Sequence, residues 1–526
     1  MYQKNTSNLD PYGIPVAVPA PSGGNVQLGA VQSMKPQVAA ATGLRDWPFA
    51  FLFLGNVVAI VVLLVMWGIP VLTDKSSSSN STTKSSSSNN FISSKDLHTV
   101  LIYAAAMAVI SAVLSFLMLS FITKFARGMI TFSLWFSVGL DVLFAIYAVV
   151  KHQYVLAILA TIFALFAICY AFAVRDRIPF AAANLRCGAA AIKKHSSTYC
   201  VAFSMLLLQI VWVGVWSFAA FGLSNHLLEN KTKTYNSNGL ANGGRCNANS
   251  MCYSNYCYNY VCKDTNALAD LKSTTYVGYF FMLISFFWGM NVVKNITHAT
   301  VAGTVATWWY SSDSRGATGA SLKRTLTTSF GSICLGSLIV AVLQALRQLA
   351  EEARRQGDAA ACIAECILGC LESMMEYFNR WAFIYVGIYG YKFTDAGKAV
   401  IGLFRDRGFE TIINDDLVGN ALGFAALGVG FLCAGLGMIY TYIDTTNFNF
   451  QYANVLVPVL GLCVGIAVSI IPLSVIDSAV ATVFVCFAED PAALQQSHQE
   501  HFNELMYEWH RLFPDVMVAS GYYVVY

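Results

Sequence analysis

The chain has 526 residues, of which 56% are hydrophobic and 12% are charged, and its mean hydropathy is +0.55. Soluble domains contain roughly 45–50% apolar and about 25% charged residues, so this composition excludes an ordinary soluble protein. The formal net charge of +3 is small for this length and the basic residues are spread over loops, which excludes nucleic-acid binding. Nine long apolar runs, and a tenth short run that can be extended, predict an all-α polytopic membrane protein with about ten transmembrane helices.

The N-terminal segment is polar and rich in Pro, Gly and Gln, and it predicts a disordered cytoplasmic tail over residues 1–46. The first apolar run that follows it is too long for the hydrophobic region of a signal peptide. We therefore expect this tail to stay attached to the mature protein.

A bilayer core about 30 Å thick requires roughly 20 apolar helical residues. Nine runs meet this requirement, and a tenth does so if a short apolar run is extended toward its N-terminal side. The predicted spans lie near 47–72, 99–123, 128–150, 153–174, 199–223, 273–312, 325–346, 374–391, 417–443 and 453–476. They form one membrane domain over residues 47–488, and a second cytoplasmic tail follows over residues 489–526.

Two stretches predict interrupted helices. Residues 295–312 follow an apolar run after Lys294 alone, and residues 381–391 are too short to cross a bilayer unaided. Non-helical backbone is tolerated at membrane depth only where protein or a water-filled cavity satisfies it, so broken helices point to a transport pathway. The alternative for each stretch is a loop that dips into the lipid headgroups.

The loop over residues 224–272 predicts an extracellular location. It holds four cysteines within 17 residues, namely Cys246, Cys252, Cys257 and Cys262. Cysteines this close favour two disulfides, with three possible connectivities, although a zinc site is an alternative whose usual C-x2-C pairs are missing. Asn230, in a glycosylation sequon of the same loop, is the favoured glycan site, and Asn80 in the Ser-rich first loop is the next.

Basic residues support the same orientation. Residues 175–195 carry five lysines and arginines, which is typical of a cytoplasmic loop. Ten spans then place both termini in the cytoplasm. The arginines of residues 347–380 oppose this arrangement, because ten spans put that segment outside.

Several stretches resemble one known family in the order in which the family has them. They are Arg177-Ile-Pro-Phe-Ala-Ala-Ala183, Asn295-Ile-Thr-His-Ala-Thr-Val-Ala-Gly303, Thr307-Trp-Trp-Tyr310, Ser329-Phe-Gly-Ser-Ile-Cys-Leu-Gly-Ser-Leu-Ile-Val340, Phe378-Asn-Arg-Trp-Ala-Phe383, Ile388-Tyr-Gly-Tyr-Lys-Phe393 and Phe484-Val-Cys-Phe-Ala-Glu-Asp-Pro491. Together they resemble the choline transporter-like family, and in particular its fungal pH-nine-sensitive branch.

This resemblance implies a plasma-membrane transporter, rather than an enzyme, that moves choline or a related organic cation or amine. One departure lies in the last span, where the family has Val-Asp-Thr and this chain has Val480-Ala481-Thr482. An acid is present one helical turn earlier, as Asp477. The alternative is a lipid-handling or scaffolding membrane protein of the same fold, for which Ala481 is the main sign.

A quaternary ammonium cannot donate an N–H hydrogen bond, so its site needs aromatic faces and a diffuse negative field. The predicted aromatic residues lie on the fifth and sixth spans and on the two interrupted stretches. They are Trp212, Trp216, Trp288, Trp308, Tyr385 and Tyr389. Many aromatic side chains of membrane proteins instead face lipid or form interfacial belts, which is the alternative for each.

Polar side chains complete the predicted substrate site. The part of any span that is least compatible with lipid contains Asn291, Asn295 and His298. These polar side chains are predicted to line the transport pathway. Asp141 lies halfway along the third span, where a charge is costly unless it is paired or solvated. We therefore expect it to face the protein interior. Asp477 is a second candidate, with solvation near the membrane boundary as its alternative.

The remaining patterns predict neither a metal site nor a cofactor. His498 and His501 share a helix face in the C-terminal segment, and a membrane enzyme that uses them is a third, weaker hypothesis. Motifs for ATP binding or hydrolysis are missing from the sequence. The expected partners are a small organic cation and membrane lipid, and no oligomeric state is predicted.

Overall fold

The computed structural model describes residues 43–70, 94–234, 267–357, 359–443 and 453–513, together with residues 245, 247, 251–252, 257–258 and 261–262. Within these residues the chain is helical apart from one short hairpin, which confirms the all-α class. Most of the predicted N-terminal tail and Asn80 lie outside the described residues.

The first half of the bundle consists of six helices. They are α1 (Trp47–Leu63), which continues into a π-helical turn (Leu64–Gly68), α2 (Ser94–Lys124), α3 (Ala126–Val150), α4 (Tyr154–Val174), which continues into a 3₁₀ turn (Arg175–Arg177), α5 (Ile178–Lys194) and α6 (Ser197–Thr234).

The second half follows the cysteine-containing loop and its two short strands. The elements are β1 (Cys257–Tyr258), β2 (Val261–Cys262), α7 (Ala267–Tyr310), α8 (Ala317–Leu326), α9 (Phe330–Arg355), α10 (Ala359–Tyr389), α11 (Phe393–Ile443), α12 (Ala453–Glu489), α13 (Pro491–Ser497) and α14 (Gln499–Leu512).

Nine helical segments of the described chain are long and apolar enough to cross a membrane, and nine of the ten predicted spans overlap them. The tenth, 374–391, is the C-terminal part of α10. This helix exposes an apolar stripe at helical spacing, formed by Ile363, Ile367, Leu371 and Met374. A stripe of this kind suits contact with lipid. It therefore favours the prediction that α10 is the tenth span, which stays a prediction.

Both predicted interruptions are wrong, because α7 and α10 are continuous helices through residues 295–310 and 381–389. The polar side chains that suggested a break are satisfied across helix interfaces instead. Asn295, for example, donates a hydrogen bond to Ser337 of α9 at 2.9 Å. Irregular turns occur elsewhere, at Leu64–Gly68 and Arg175–Arg177.

The basic segment after α4 is a buried helix rather than a loop. Nearly all of α5 from Ile178 to Ile192 is buried, and it packs on α12 so closely that a Cβ added at Gly188 would lie 3.1 Å from Val480. The segment predicted as a C-terminal tail folds over it as α13 and α14. The buried face of α14 consists of Phe502, Leu505, Met506 and Trp509.

The cysteine loop is described only in part. Cys252 is buried and disulfide-bonded, and Cys257 and Cys262 are register partners in the hairpin. Cys246 and the side chain of Asn230 lie outside the described residues. The two disulfides, their connectivity and glycosylation therefore stay predictions.

Helix α12 lies at the centre of the bundle and contacts α2, α5, α7 and α11. It meets α7 and α10 along an interface of small residues and large aromatic rings. A Cβ added at Gly387 of α10 would lie 2.5 Å from the carbonyl oxygen of Ala299 in α7, so only glycine permits this approach. The three helices end together, with Tyr310, Tyr389 and Glu489 as their last residues.

Candidate transport site

Tyrosine rings converge where α7, α10 and α12 end. Tyr385 and Tyr389 lie one turn apart on α10 with ring centroids 6.0 Å apart, and Tyr391 stacks on Tyr389 at 5.2 Å. The hydroxyl groups of Tyr310 and Tyr389 are 3.5 Å apart. The predicted residues Tyr385 and Tyr389 are thus brought together with Tyr310 and Tyr391.

A carboxylate completes this arrangement. Glu489 accepts a hydrogen bond from the hydroxyl of Tyr385 at 2.9 Å and is exposed at the surface. Among the described side chains, no lysine, arginine or histidine forms an ion pair with it. We call Tyr310, Tyr385, Tyr389, Tyr391 and Glu489 the tyrosine–glutamate cluster.

Electrostatics leave the negative charge of the cluster on its carboxylate. A tyrosine phenol is neutral at physiological pH, so the rings of the cluster carry no charge. Neutral phenol rings present negative π faces, while the carboxylate supplies a full charge without a fixed cationic partner in the described part of the chain. An aromatic surface beside an uncompensated carboxylate suits a bulky organic cation.

Local chain geometry positions the cluster. Gly390 has φ 64°, a left-handed conformation that ends α10 and returns Tyr391 toward Tyr389. Pro491 begins α13, and Asp490 caps that helix by accepting the N–H of Ala493 at 3.2 Å. The carbonyl of Asp490 also accepts the indole N–H of Trp309 at 3.0 Å, which fixes the end of α12 and therefore Glu489.

A second polar group lies deeper on the same interface. Arg380 of α10 contacts both carboxylate oxygens of Asp415 in α11, at 3.0 and 2.7 Å, and one oxygen of Asp477 in α12 at 2.9 Å. We call these three residues the arginine–aspartate network. Because one guanidinium is shared by two carboxylates, three helices are tied together by charge.

His298 of α7 adjoins this network. Its Nε2 lies 2.8 Å from the carbonyl oxygen of Arg380, and its Nδ1 lies 2.8 Å from the hydroxyl of Ser478. A carbonyl only accepts, so Nε2 donates, and Nδ1 of the neutral ring accepts from Ser478. The predicted polar residue His298 therefore links α7, α10 and α12 instead of lining an open channel.

The two groups are separated by packed protein. Tyr310 and Glu489 lie about three helical turns, roughly 18 Å, beyond His298 and Asp477 along α7 and α12. Between them, the buried rings of Trp381 and Phe484 lie 6.2 Å apart. The interface is closed at this level, so the tyrosine–glutamate cluster opens toward only one end of the bundle.

The tryptophans predicted on the fifth and sixth spans hold helices together. The indole N–H groups of Trp212 and Trp216 in α6 donate to carbonyls of Phe286 and Met282 in α7, at 3.2 and 2.9 Å. Trp288 of α7 donates to the carbonyl of Cys334 in α9 at 2.9 Å. These three rings lie in helix interfaces away from the tyrosine–glutamate cluster.

The predicted asparagine Asn291 joins a polar chain across three helices. Its amide donates to Gln344 of α9 at 2.8 Å, and the amide of Gln344 donates to Glu376 of α10 at 3.1 Å. Asn295 bonds Ser337 one turn further along α7. Both asparagines are therefore satisfied by neighbouring helices, near the arginine–aspartate network and apart from the tyrosines.

Two other predicted residues stand apart. Trp308 is buried and stacks on the imidazole of His498, with ring centroids 4.0 Å apart, so it anchors the C-terminal segment. Asp141 is exposed in α3, and the expectation that it faces the protein interior stays a prediction. It stands on the same face of α3 as the buried Val138 and Ala145, three residues after the first and four before the second.

Tyr391, Glu489, Arg380 and Asp415 were not predicted from the sequence as site residues. The available signal was that Tyr310, Tyr391 and Glu489 each lie in a stretch carrying the family resemblance. Asp477 was predicted as a candidate by itself, without Arg380 as its partner. Their pairing depends on contacts between distant helices, which a single sequence does not disclose.

The fold defines a multi-pass α-helical membrane protein. Residues 158–492, more than half of the chain, match the family described as plasma-membrane choline transporter. The chain belongs to this choline transporter-like family, as its sequence motifs had indicated.

Individual relatives agree with this assignment. Protein PNS1 of Gibberella zeae is 36% identical over 248 residues, which cover 45% of each chain. Protein PNS1 of Debaryomyces hansenii is 29% identical over 499 residues, covering 90% of this chain and 88% of the relative. A CTL-like protein of Dictyostelium discoideum is 29% identical over 380 residues, covering 70% and 59%. The predicted fungal resemblance is thus confirmed.

Proposed function

We propose that this protein transports choline or a related organic cation across the plasma membrane. Membership of the choline transporter-like family supports a transporter-like role, and the tyrosine–glutamate cluster supports the class of substrate. The observation that carries the proposal is the exposed carboxylate of Glu489 beside tyrosine rings, with no cationic side chain paired to it in the described chain.

The binding mode follows from the chemistry of a quaternary ammonium. Its charge is spread over methyl groups, which contact aromatic faces better than they contact a hydrogen-bonding clamp. Tyr385 holds the Glu489 carboxylate through its hydroxyl, while Tyr389 and Tyr391 expose stacked rings. The cation is proposed to lie against these rings with its charge near Glu489. The sequence-predicted tryptophans are then supports for the helices that carry the site.

Orientation is part of the proposal. The arginines that follow α4, the lysines at the end of α5 and the cysteine-containing loop before α7 favour cytoplasmic termini. The tyrosine–glutamate cluster then faces the cytoplasm, and the closed segment above it separates it from the outside. The protein is proposed to be in a conformation open to the inside, with the arginine–aspartate network holding α10, α11 and α12 together.

Uptake of labelled choline into proteoliposomes containing the purified full chain tests this function. We expect uptake above that of protein-free vesicles, reduced by excess unlabelled choline and weakened by Glu489→Gln. Glu365→Gln, which removes a carboxylate from the α9–α10 ion pairs, is the matched control and should keep uptake. Vesicles that take up no choline with correctly folded protein would contradict transport and favour the lipid-handling or scaffolding alternative.

A further inference from the structure

The short turn that carries Tyr391 is held by a side chain from a distant part of the chain. Helix α10 ends at Tyr389 and α11 begins at Phe393, so only three residues connect them. Asp46 directly precedes α1, and its carboxylate oxygen Oδ2 accepts the backbone N–H of Phe393 at 2.9 Å. This bond joins the start of the first span to the turn beside the tyrosine–glutamate cluster.

The same carboxylate oxygen has a second donor. Ser332, a buried residue in the first turn of α9, donates its hydroxyl to Oδ2 of Asp46 at 2.7 Å. That hydroxyl also lies 3.4 Å from the carbonyl oxygen of Tyr391. Asp46 therefore ties α9 to α11 at the turn that carries Tyr391.

An ordinary cap of its own helix does not account for this carboxylate. Asp46 stands in the N-cap position of α1, where an aspartate usually accepts an N–H group two or three residues further on. It forms no such bond with α1, and Pro48 offers no N–H in the first turn. The side chain instead satisfies an N–H at the start of α11 that has no partner within that helix. A carboxylate is favoured there, because the helix dipole is positive at this end.

The backbone around Asp46 is fitted to this position. Its φ of 47° is left-handed, a conformation that aspartate tolerates better than most residues do. The N–H of Arg45 donates to the carbonyl of Thr328 at 2.8 Å, in the turn before α9. A Cβ added at Gly331 would lie 2.3 Å from the carbonyl oxygens of Arg45 and Asp46, so only glycine permits this approach. The segment is therefore docked on α9, which directs the Asp46 carboxylate to α11.

We propose that Asp46 is a positioning residue for the cation site and acts through the turn that carries Tyr391. The inference rests on the proposed transport function. Tyr391 stacks on Tyr389, with ring centroids 5.2 Å apart, while the turn keeps its shape. The bond to Phe393 lies two residues beyond Tyr391, so its loss frees the turn on the α11 side, and Gly390 permits motion on the α10 side. Asp46 holds this ring against the cation and does not contact the cation itself.

Choline binding isotherms of the purified full chain test the proposal. Asp46→Ala removes both hydrogen bonds and should weaken binding by about two- to tenfold, a part of the roughly two- to thirtyfold loss expected for a whole ring. Asp46→Asn keeps an oxygen that accepts both donors and should bind nearly as the parent does. Asp313→Ala, which removes an exposed carboxylate between α7 and α8, is the matched control. In a Tyr391→Leu background, Asp46→Ala should add little, because its effect passes through that ring.

Two further measurements separate positioning from folding and from transport. Ser332→Ala removes one of the two bonds and should give a smaller loss, which keeps the test available if Asp46→Ala does not fold. Fluorotyrosine at position 391 should show a fluorine signal that moves in Asp46→Ala and returns in Asp46→Asn. Parental affinity in Asp46→Ala and Ser332→Ala, or an equal further loss in the Tyr391→Leu background, would overturn the positioning role. A parent that binds no choline would contradict the proposed function, whereas an unmoved fluorine signal would overturn the action of Asp46 on Tyr391.

Discussion

The tyrosine–glutamate cluster and the arginine–aspartate network lie on the same interface of α7, α10 and α12, yet their charges are treated differently. In the network, Arg380 compensates Asp415 and Asp477 within 3.0 Å. In the cluster, Glu489 is held only by the Tyr385 hydroxyl, with no cation paired to it among the described residues. The network contains the arginine that balances its carboxylates, whereas the carboxylate of the cluster is available to a cationic ligand.

This difference separates structural charge from charge available to a ligand. A buried carboxylate with a fixed partner stabilises helix packing, and removal of that partner is costly. An exposed carboxylate beside aromatic rings contributes little to folding, because water already solvates it. Variants in the arginine–aspartate network should therefore change stability, and variants in the tyrosine–glutamate cluster should change ligand affinity.

Arg380→Gln is expected to have the largest effect, because it leaves Asp415 and Asp477 without their shared cation inside the bundle. Breaking a partly buried ion pair from one side costs about 3–5 kcal/mol of unfolding free energy. Thermal unfolding in detergent measures this loss. A triple variant that also carries Asp415→Asn and Asp477→Asn should recover much of the stability. An unchanged melting temperature in Arg380→Gln alone would show that the network does not stabilise the fold.

Glu489→Gln should leave the melting temperature near that of the parent and weaken choline binding by about tenfold or more, because the substituted amide keeps the shape but not the charge. Binding isotherms with the purified protein measure the affinity, and Glu365→Gln serves as the control carboxylate. If the glutamine variant bound choline as tightly as the parent, the cluster would not be the cation site.

Tyr389→Leu should weaken choline binding by about two- to thirtyfold, since one aromatic face contributes about 0.5–2 kcal/mol to cation binding. Tyr389→Phe keeps the ring and should bind nearly as the parent does. Trp216→Leu, in the α6–α7 interface, should reduce stability with little change in affinity. If Trp216→Leu lost affinity for choline and Tyr389→Leu kept it, the cation site would lie at the tryptophans instead.

The smallest expected effect concerns pH and the C-terminal segment. Burial against Trp308, followed by the positive charge of Lys194 and the nearby imidazoles of His501 and His195, lowers the pKa of His498 to about 4. Released from the bundle, this histidine would titrate near its ordinary value of 6.5. Docking of α14 should therefore be complete above that pH and weaken progressively as the pH falls toward about 4.

Hydrogen exchange of α14 between pH 7 and pH 4.5 measures this release, after correction for the intrinsic exchange rate. His498→Gln cannot take up a proton and should flatten the pH dependence. His510→Gln, on the same helix, is the matched control and should retain it. A pH dependence that survives in His498→Gln would assign the effect to another group.

Hydropathy and motif spacing sufficed for the class of protein, for nine of the spans and for the family. These features depend on runs of apolar side chains and on short local patterns, which each segment carries by itself. They also identified Tyr385 and Tyr389 as candidates, because both lie in a family-like stretch. Polar residues inside a span did not indicate a break in the helix, because Asn295 finds its partner on α9.

The tertiary structure decided which aromatic rings share a site and which carboxylates are compensated. Tyr310, Tyr389 and Glu489 end three helices that are far apart in sequence. Their proximity depends on the way α7, α10 and α12 pack, including the close approach at Gly387. A single sequence records which side chains are available, but partner choice is set by interhelical distances of a few ångströms, because hydrogen bonds and ion pairs act only at that range.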